Sequence, residues 1–314
     1  MSPYDLSRIQ AATGISTIDF HQSLGSTNDR AIEILKSPGP IEFWNAGSPG
    51  QAPPSPAYFE ADPLSDSNQT FSGNPGLPLL VLTDRQTHGR GQHHRPWTAG
   101  AGAITFSLCR DSQGAPWPVA GTVSLGWAVC SAIEGLTGRQ LPELGLKWPN
   151  DILWESCKLG GILVESILPH PASSWSVVDS PVWVMGIGLN VNNPIRSADL
   201  ISNSPDQSSQ PPLKKPLAPT SLIQTLGQPL DQTALLIELL QQIELTFRRS
   251  SSDPGELIGE VYQRMILRER IISVQLGDRK IIRGKVTGLG PAGELLVSND
   301  GKTHAINSGQ IIDW

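Results

Sequence analysis

The sequence predicts an α+β fold, a mixed sheet packed against helices and followed by a small antiparallel barrel. Three observations carry this. Apolar, glycine-containing runs such as LPLLVLTD, GAITFSLC, LGGILVESIL and PVWVMGIGLNV read as buried strands. Two longer runs, GTVSLGWAVCSAIEGLTG and DQTALLIELLQQIELTFRR, have helical spacing. The last stretch, from IISVQLGDRK to the C-terminus, alternates short β runs with Gly- and Asp-containing turns, as a small barrel does. The division expected is a main domain over 1–265 and a barrel over 266–314.

The elements follow in order. A β-branched run at Ile15–Phe20 reads as a strand, and Ser26, Thr27 and Asn28 offer caps for the helix in DRAIEILK. A tract at about 37–78 is so rich in Pro, Gly and Ser that it sustains neither hydrophobic period, and is expected to be a flexible insertion. LPLLVLTD then delivers TDRQTHGRGQHHRPW into a loop, and GAITFSLC continues the sheet. Val123, Trp127, Val129 and Ile133 mark the core stripe of a helix closed by Gly138. LGLKWPNDILW, LGGILVESIL and PVWVMGIGLNV read as three successive strands. A second polar tract, about 193–219, precedes the helix beginning at Asp231.

Composition removes several functions. The chain of 314 residues carries 23 Lys and Arg against 29 Asp and Glu, a formal charge of -6, so no general basic field gathers a polyanion and DNA binding is disfavoured. Three widely spaced cysteines with no CxxC pair fit a reducing compartment. No apolar run is long enough to span a bilayer and no leader pattern opens the chain, so a cytoplasmic protein without membrane contact is expected.

Four clusters could carry chemistry. In the first, Gly89 and Gly91 flank Arg90, so the backbone can turn its N–H groups towards an anion while Arg90 and Arg95 add positive forks. His88, His93 and His94 lack the spacing or the cysteine that would complete a metal set. The second, KWPND, sets Asn150 and Asp151 in a turn suited to a cation or a ligand hydroxyl, or simply to an Asx turn. The third, KLGGILVE, holds Lys158 three residues before Gly161 in an apolar strand. The fourth, GIGLN, places Gly188 and Asn190 where missing side chains either ease packing or open a pocket.

With GSTN ahead of them, QTHGRGQHHRPW, KWPND, KLGGILVE and GIGLN resemble the catalytic core of the biotin protein ligases in both content and order. The resemblance covers nearly the whole ordered chain. It implies a core related to the lipoate ligases and class II aminoacyl-tRNA synthetases, with an SH3-like barrel behind it. It further implies that biotin and ATP give biotinyl-5'-adenylate, and that a lysine of the biotin carboxyl carrier protein of acetyl-CoA carboxylase then takes the biotinyl group.

The resemblance also assigns roles. Ser26, Thr27 and Gln86, with Asn28 beside them, would hold the ureido head. Gly161 and Gly188 would leave room for the bicyclic ring. Lys158 would bridge the carboxylate and the phosphate, with Arg90 and Mg2+ as further positive charge; the ligands of the metal are not assigned. Gly89, Gly91, Arg95 and Trp97 would belong to the loop that closes over the ligand. Asn150 and Asp151 would lie by adenylate and metal, with Asp151 the candidate to orient or deprotonate the carrier lysine, and Asn190 would line the pocket. An exposed sheet edge, used in relatives for both the carrier and a homodimer, would make those two contacts exclusive.

Two departures matter. Gln92 stands where the family loop often has arginine, and His94 where it often has glycine, so slower loop ordering and some leakage of adenylate are expected. Fewer than thirty residues precede the STN turn, too few for a winged helix-turn-helix, so a ligase-only form is expected. The rivals are a lipoate-protein ligase-like enzyme, which would carry a different glycine-rich loop, and a noncatalytic biotin-binding module.

Overall fold

The computed structural model describes residues 2–38, 77–92, 95–112, 117, 120–172, 180–195, 217–277 and 280–314. Most of the two polar tracts, together with His93 and His94, lies outside these residues. Helix α1 (Leu6–Thr13) starts at Asp5, whose carboxylate accepts the Arg8 N–H, and stops at Gly14 in the left-handed region. Strand β1 (Thr17–His21) leads through the GSTN turn into α2 (Thr27–Lys36), where the Ser26 hydroxyl caps the first turn by accepting the Asp29 N–H at 3.3 Å.

A seven-stranded mixed sheet forms the main body, in the order β1-β2-β5-β9-β8-β7-β6. Strands β1 and β2 (Leu79–Thr83) pair in parallel. The remaining pairings, through β5 (Ile104–Asp111), β9 (Val182–Leu189), β8 (Cys157–Ile167), β7 (Asp151–Trp154) and β6 (Leu144–Lys147), are antiparallel. On one face Leu82, Phe106, Ile187 and Leu189 pack into the main core with Val129 and Ile133 of α3 (Thr122–Thr137) and Leu236 and Leu240 of α5 (Gln232–Ser252). On the other, Leu79, Val81, Cys109, Val182 and Val184 meet Ala31, Ile34 and Leu35 of α2. The apolar contact with α2 stops there, and further along the same strands this face carries glycine, hydroxyl and charged residues.

The short α4 (Leu222–Leu226) and the helix α6 (Pro254–Arg264) complete the helical set among the described residues. Arg264 of α6 donates two hydrogen bonds, 2.8 and 2.6 Å, to the buried Glu134 of α3. The C-terminal part is a five-stranded antiparallel sheet, order β13-β12-β11-β10-β14, built from β10 (Ile271–Leu276), β11 (Lys280–Leu289), β12 (Leu295–Asn299), β13 (Lys302–Ile306) and β14 (Gln310–Asp313).

Two expectations need correction. The stretch expected to be a loop is a hairpin, in which β3 (Gln86–Arg90) pairs with β4 (Pro96–Ala99). Neither strand carries an apolar alternation, so periodicity could not reveal them; they are held by each other and by a bridge from Leu24 to Gln86. LGLKWPNDILW is not one strand but two, β6 and β7, folded back so that Lys147 pairs with Asp151 across the Trp148-Pro149-Asn150 turn. Pro149 has no N–H to offer a ladder, which is why the run breaks there.

Candidate active site

In an antiparallel ladder paired residues face the same side, and positions two apart share a face. The register therefore lays out one row across the sheet, Asp151–Gly161–Gly188–Thr105, and a second row, Leu163–Gly186–Ser107, about 7 Å further along the same face. This is the face whose apolar contact with α2 has ended. The glycines make room above it. A Cβ on Gly188 would lie 2.5 Å from Trp97 Nε1, and one on Gly186 would lie 2.1 Å from Asn28 Oδ1.

The first row ends in positive charge. Lys158 Nζ sits 2.5 Å from Asp151 Oδ1 and 3.5 Å from where a Gly161 Cβ would be. Lys147 adds a second ammonium 3.8 Å from Asp151. The backbone of Lys158 is fixed on both sides, its N–H donating to Ala218 O and its carbonyl accepting the Thr220 N–H. Asn150 donates through Nδ2 to Ile162 O at 2.7 Å, which ties the KWPND turn to β8. Trp97 lies between, its ring centroid 5.7 Å from Lys158 Nζ.

The second row ends in a polar cluster. Thr27 N–H donates to Gln86 Oε1 at 2.9 Å, and the Ser107 hydroxyl is 2.8 Å from Thr27 Oγ1 and 2.6 Å from Asn28 Oδ1. Asn28 Nδ2 donates to Glu165 at 2.8 Å. Arg90 reaches both Glu165 oxygens, at 3.0 and 2.7 Å, and Asp29 at 2.9 Å. Burial opposes the charge on Arg90, but the hydrogen bonds from Glu165 and Asp29 outweigh it and raise its pKa, so the guanidinium stays protonated.

Two buried polar atoms on this face, Trp97 Nε1 and Thr105 Oγ1, have no hydrogen-bond partner. Asp19 Oδ1 and Trp183 Nε1 are unpaired elsewhere among the described residues, but here two such atoms stand together beside a glycine-opened surface, where a bound group could supply their partners. The structure thus brings together Ser26, Thr27, Asn28, Gln86, Gly89, Arg90 and Trp97 from the first two motifs with Asn150, Asp151, Lys158, Gly161 and Gly188 from the others. Gly91 and Arg95 stand at the hairpin tip, joined by a Gly91 N–H to Arg95 O bond of 2.7 Å, with the Arg95 side chain exposed. Asn190 stands apart. Its amide donates to Thr220 O and its carbonyl accepts from Asn193 Nδ2, so it anchors the segment before α4. Sequence reasoning missed Thr105, Ser107 and Glu165, which lie inside strands read only as apolar; the small polar and acidic residues that interrupt GAITFSLC and KLGGILVE were the signal.

A model of the Biotin/lipoate A/B protein ligase family matches residues 63–178. The curated proteins that the chain is similar to include biotin ligases. It is 27% identical over 237 residues to the biotin--[acetyl-CoA-carboxylase] ligase of Mycobacterium tuberculosis, covering 74% of this chain and 78% of that protein. It is 28% identical over 253 residues to the bifunctional ligase/repressor BirA of Bacillus subtilis, covering 76% and 69%. The biotin protein ligase from Aquifex aeolicus in complex with biotin and ATP shares the fold, with a TM-score of 0.62, 21% identity, and coverage of 94% of this chain and 97% of that one.

Proposed function

We propose that the chain is an ATP-dependent biotin protein ligase, forming biotinyl-5'-adenylate and passing the biotinyl group to a lysine of the biotin carboxyl carrier protein of acetyl-CoA carboxylase. The observation that supports this most is the two-ended face: a buried polar cluster at Thr27, Gln86 and Ser107 suits a cyclic urea, and an ammonium at Lys158 suits a carboxylate meeting a phosphate. In the first step a carboxylate must approach the α-phosphorus of a polyanion, so fixed cations must first offset the repulsion. Lys158, braced by Asp151 and by its backbone bonds, is the residue for that task.

Arg90 is committed to Glu165 and Asp29, and its part is to hold the β3–β4 hairpin against α2 and β8. No group of three or more metal-ligating side chains occurs among the described residues. Mg2+ would be carried mainly by the phosphates of ATP, with Asp151 a carboxylate that could share it, and would there neutralise phosphate charge. In the second step Asp151 would orient or deprotonate the incoming lysine. The division at 265/266 and an SH3-like reading of the C-terminal sheet complete the proposal. No described helix is long and apolar enough to cross a membrane.

The test is transfer of biotin to a purified carrier domain with ATP and Mg2+, for wild type and Lys158→Ala, with lipoate as competitor. Transfer that falls at least a hundredfold in Lys158→Ala and ignores lipoate is expected. Biotin binding without pyrophosphate release in wild type would leave only a binding module, and competition by lipoate would favour the lipoate ligase reading.

A further inference from the structure

The Glu165 carboxylate stands one residue pair beyond the second row of the site, and no role has so far been assigned to it beyond pairing Arg90. The hydrogen bonds leading away from it have a fixed direction. A carboxylate only accepts. Asn28 Nδ2 faces two acceptors, Glu165 Oε2 at 2.8 Å and Leu163 O at 3.4 Å, so its amide has one orientation and its Oδ1 is turned towards Ser107. Asn28 Oδ1 must then accept, and the Ser107 hydroxyl, 2.6 Å away, donates to it. A hydroxyl has a single proton. Having given it to Asn28, Ser107 can only accept at its 2.8 Å contact with Thr27, so the Thr27 hydroxyl is the donor there. Thr27 Oγ1 also lies 3.4 Å from Gln86 Oε1, but its one proton goes to the shorter contact with Ser107, so towards a ligand it offers lone pairs; Gln86, whose Oε1 accepts the Thr27 N–H, offers its Nε2 protons.

From this we infer that Glu165 is a positioning residue that acts through Asn28 and Ser107 to make Thr27 an obligate acceptor, and so to select a ligand whose ring presents N–H donors. The inference rests on the biotin reading and deepens it. A cyclic urea has N–H groups for Thr27 and a carbonyl for the Gln86 amide. An acid whose ring has no N–H brings no donor to the lone pairs of the buried Thr27 Oγ1. Arg90 secures the far end of the chain, since its contacts to both Glu165 oxygens hold the carboxylate in place. Gly186 permits it, because any side chain there would occupy the position of Asn28 Oδ1.

The test is biotin affinity by calorimetry, with melting curves as a folding control. Glu165→Gln can present an amide to Asn28, let that amide turn over and reverse the chain, and is expected to weaken biotin binding about tenfold. In a Thr27→Val background the same change is expected to cost almost nothing further. Glu165→Gln combined with Asn28→Asp puts the acceptor-only group at position 28 and a donor at 165, restores the direction, and is expected to recover most of the affinity. A merely structural role would give no such rescue. Additive losses with Thr27→Val, or a double variant no better than Glu165→Gln, would overturn the inference while leaving the ligase reading intact. If Glu165→Gln does not fold, Ser107→Ala cuts the same chain and is held to the same non-additivity with Thr27→Val. Failure of wild type to bind biotin would overturn the reading itself and this inference with it.

Discussion

Gly188→Ala probes the pocket with one added methyl. The new Cβ would lie 2.5, 2.6 and 2.9 Å from Trp97 Nε1, Cε2 and Cζ2, whereas carbon and nitrogen in van der Waals contact sit at about 3.5 Å. The indole must therefore retreat by about 1 Å from a sheet on which Gly188 O also comes within 2.7 Å of a Cβ built at Gly160. Overpacking of this kind costs about 1–3 kcal/mol. If the methyl and the ligand ring compete for the same space, the cost appears in binding, as about a 5- to 150-fold rise in the dissociation constant for biotin. Calorimetry at matched temperature measures it, and melting curves show how much of the strain falls on the fold. Wild-type affinity with an unchanged melting temperature would refute the reasoning, because it would mean that the indole moves aside freely and that Gly188 does not shape the pocket.

Other consequences can be checked alongside. Asp151→Asn is expected to slow transfer of biotin from preformed adenylate by at least tenfold, and undiminished transfer would remove Asp151 as the group that prepares the carrier lysine. Gln92→Arg is expected to slow escape of the adenylate in the absence of carrier, measured as adenylate in the filtrate after rapid separation; equal escape would show that position 92 does not govern retention. Arg264→Met strands the buried Glu134 carboxylate and is expected to cost about 3 kcal/mol in urea unfolding at pH 7. That difference has a pH dependence of known sign. Burial pushes the Glu134 pKa up, but the bonds from Arg264 and the Leu141 N–H outweigh it and hold the folded value below the ordinary range. The stabilisation is thus complete above the unfolded glutamate pKa of about 4.3 and is lost as pH falls through the lower folded value. Wild type and variant should converge once the pH falls below that lowered folded value.

Much of this protein could be read before any coordinates. The buried strands β2, β5, β8 and β9 and the helices α3 and α5 announce themselves because their cores demand period two, continuous runs or period 3.6, and their ends carry Gly138 and Asp231. Family resemblance supplied Thr27, Gln86, Asn150, Lys158 and Gly188, since motifs record which residue types recur whether or not they touch. The hairpin β3–β4 was not legible, because polar strands held by one another leave no hydrophobic signature. The break of LGLKWPNDILW into β6 and β7 was missed for the opposite reason, apolar content masking a turn.

The sequence by itself determined the mixed α/β character of the fold and which chemically able residue types stand in its motifs. Only the tertiary structure decided which of them work together. Asn190 carries a site motif yet spends its amide on Thr220 and Asn193, while Ser107 and Glu165, unremarked in their strands, complete the chain to Thr27. The physical reason is register: a shift of one residue between β5, β9 and β8 would turn Ser107, Gly186 and Glu165 to the opposite face, and nothing in the local spacing of either motif records that alignment.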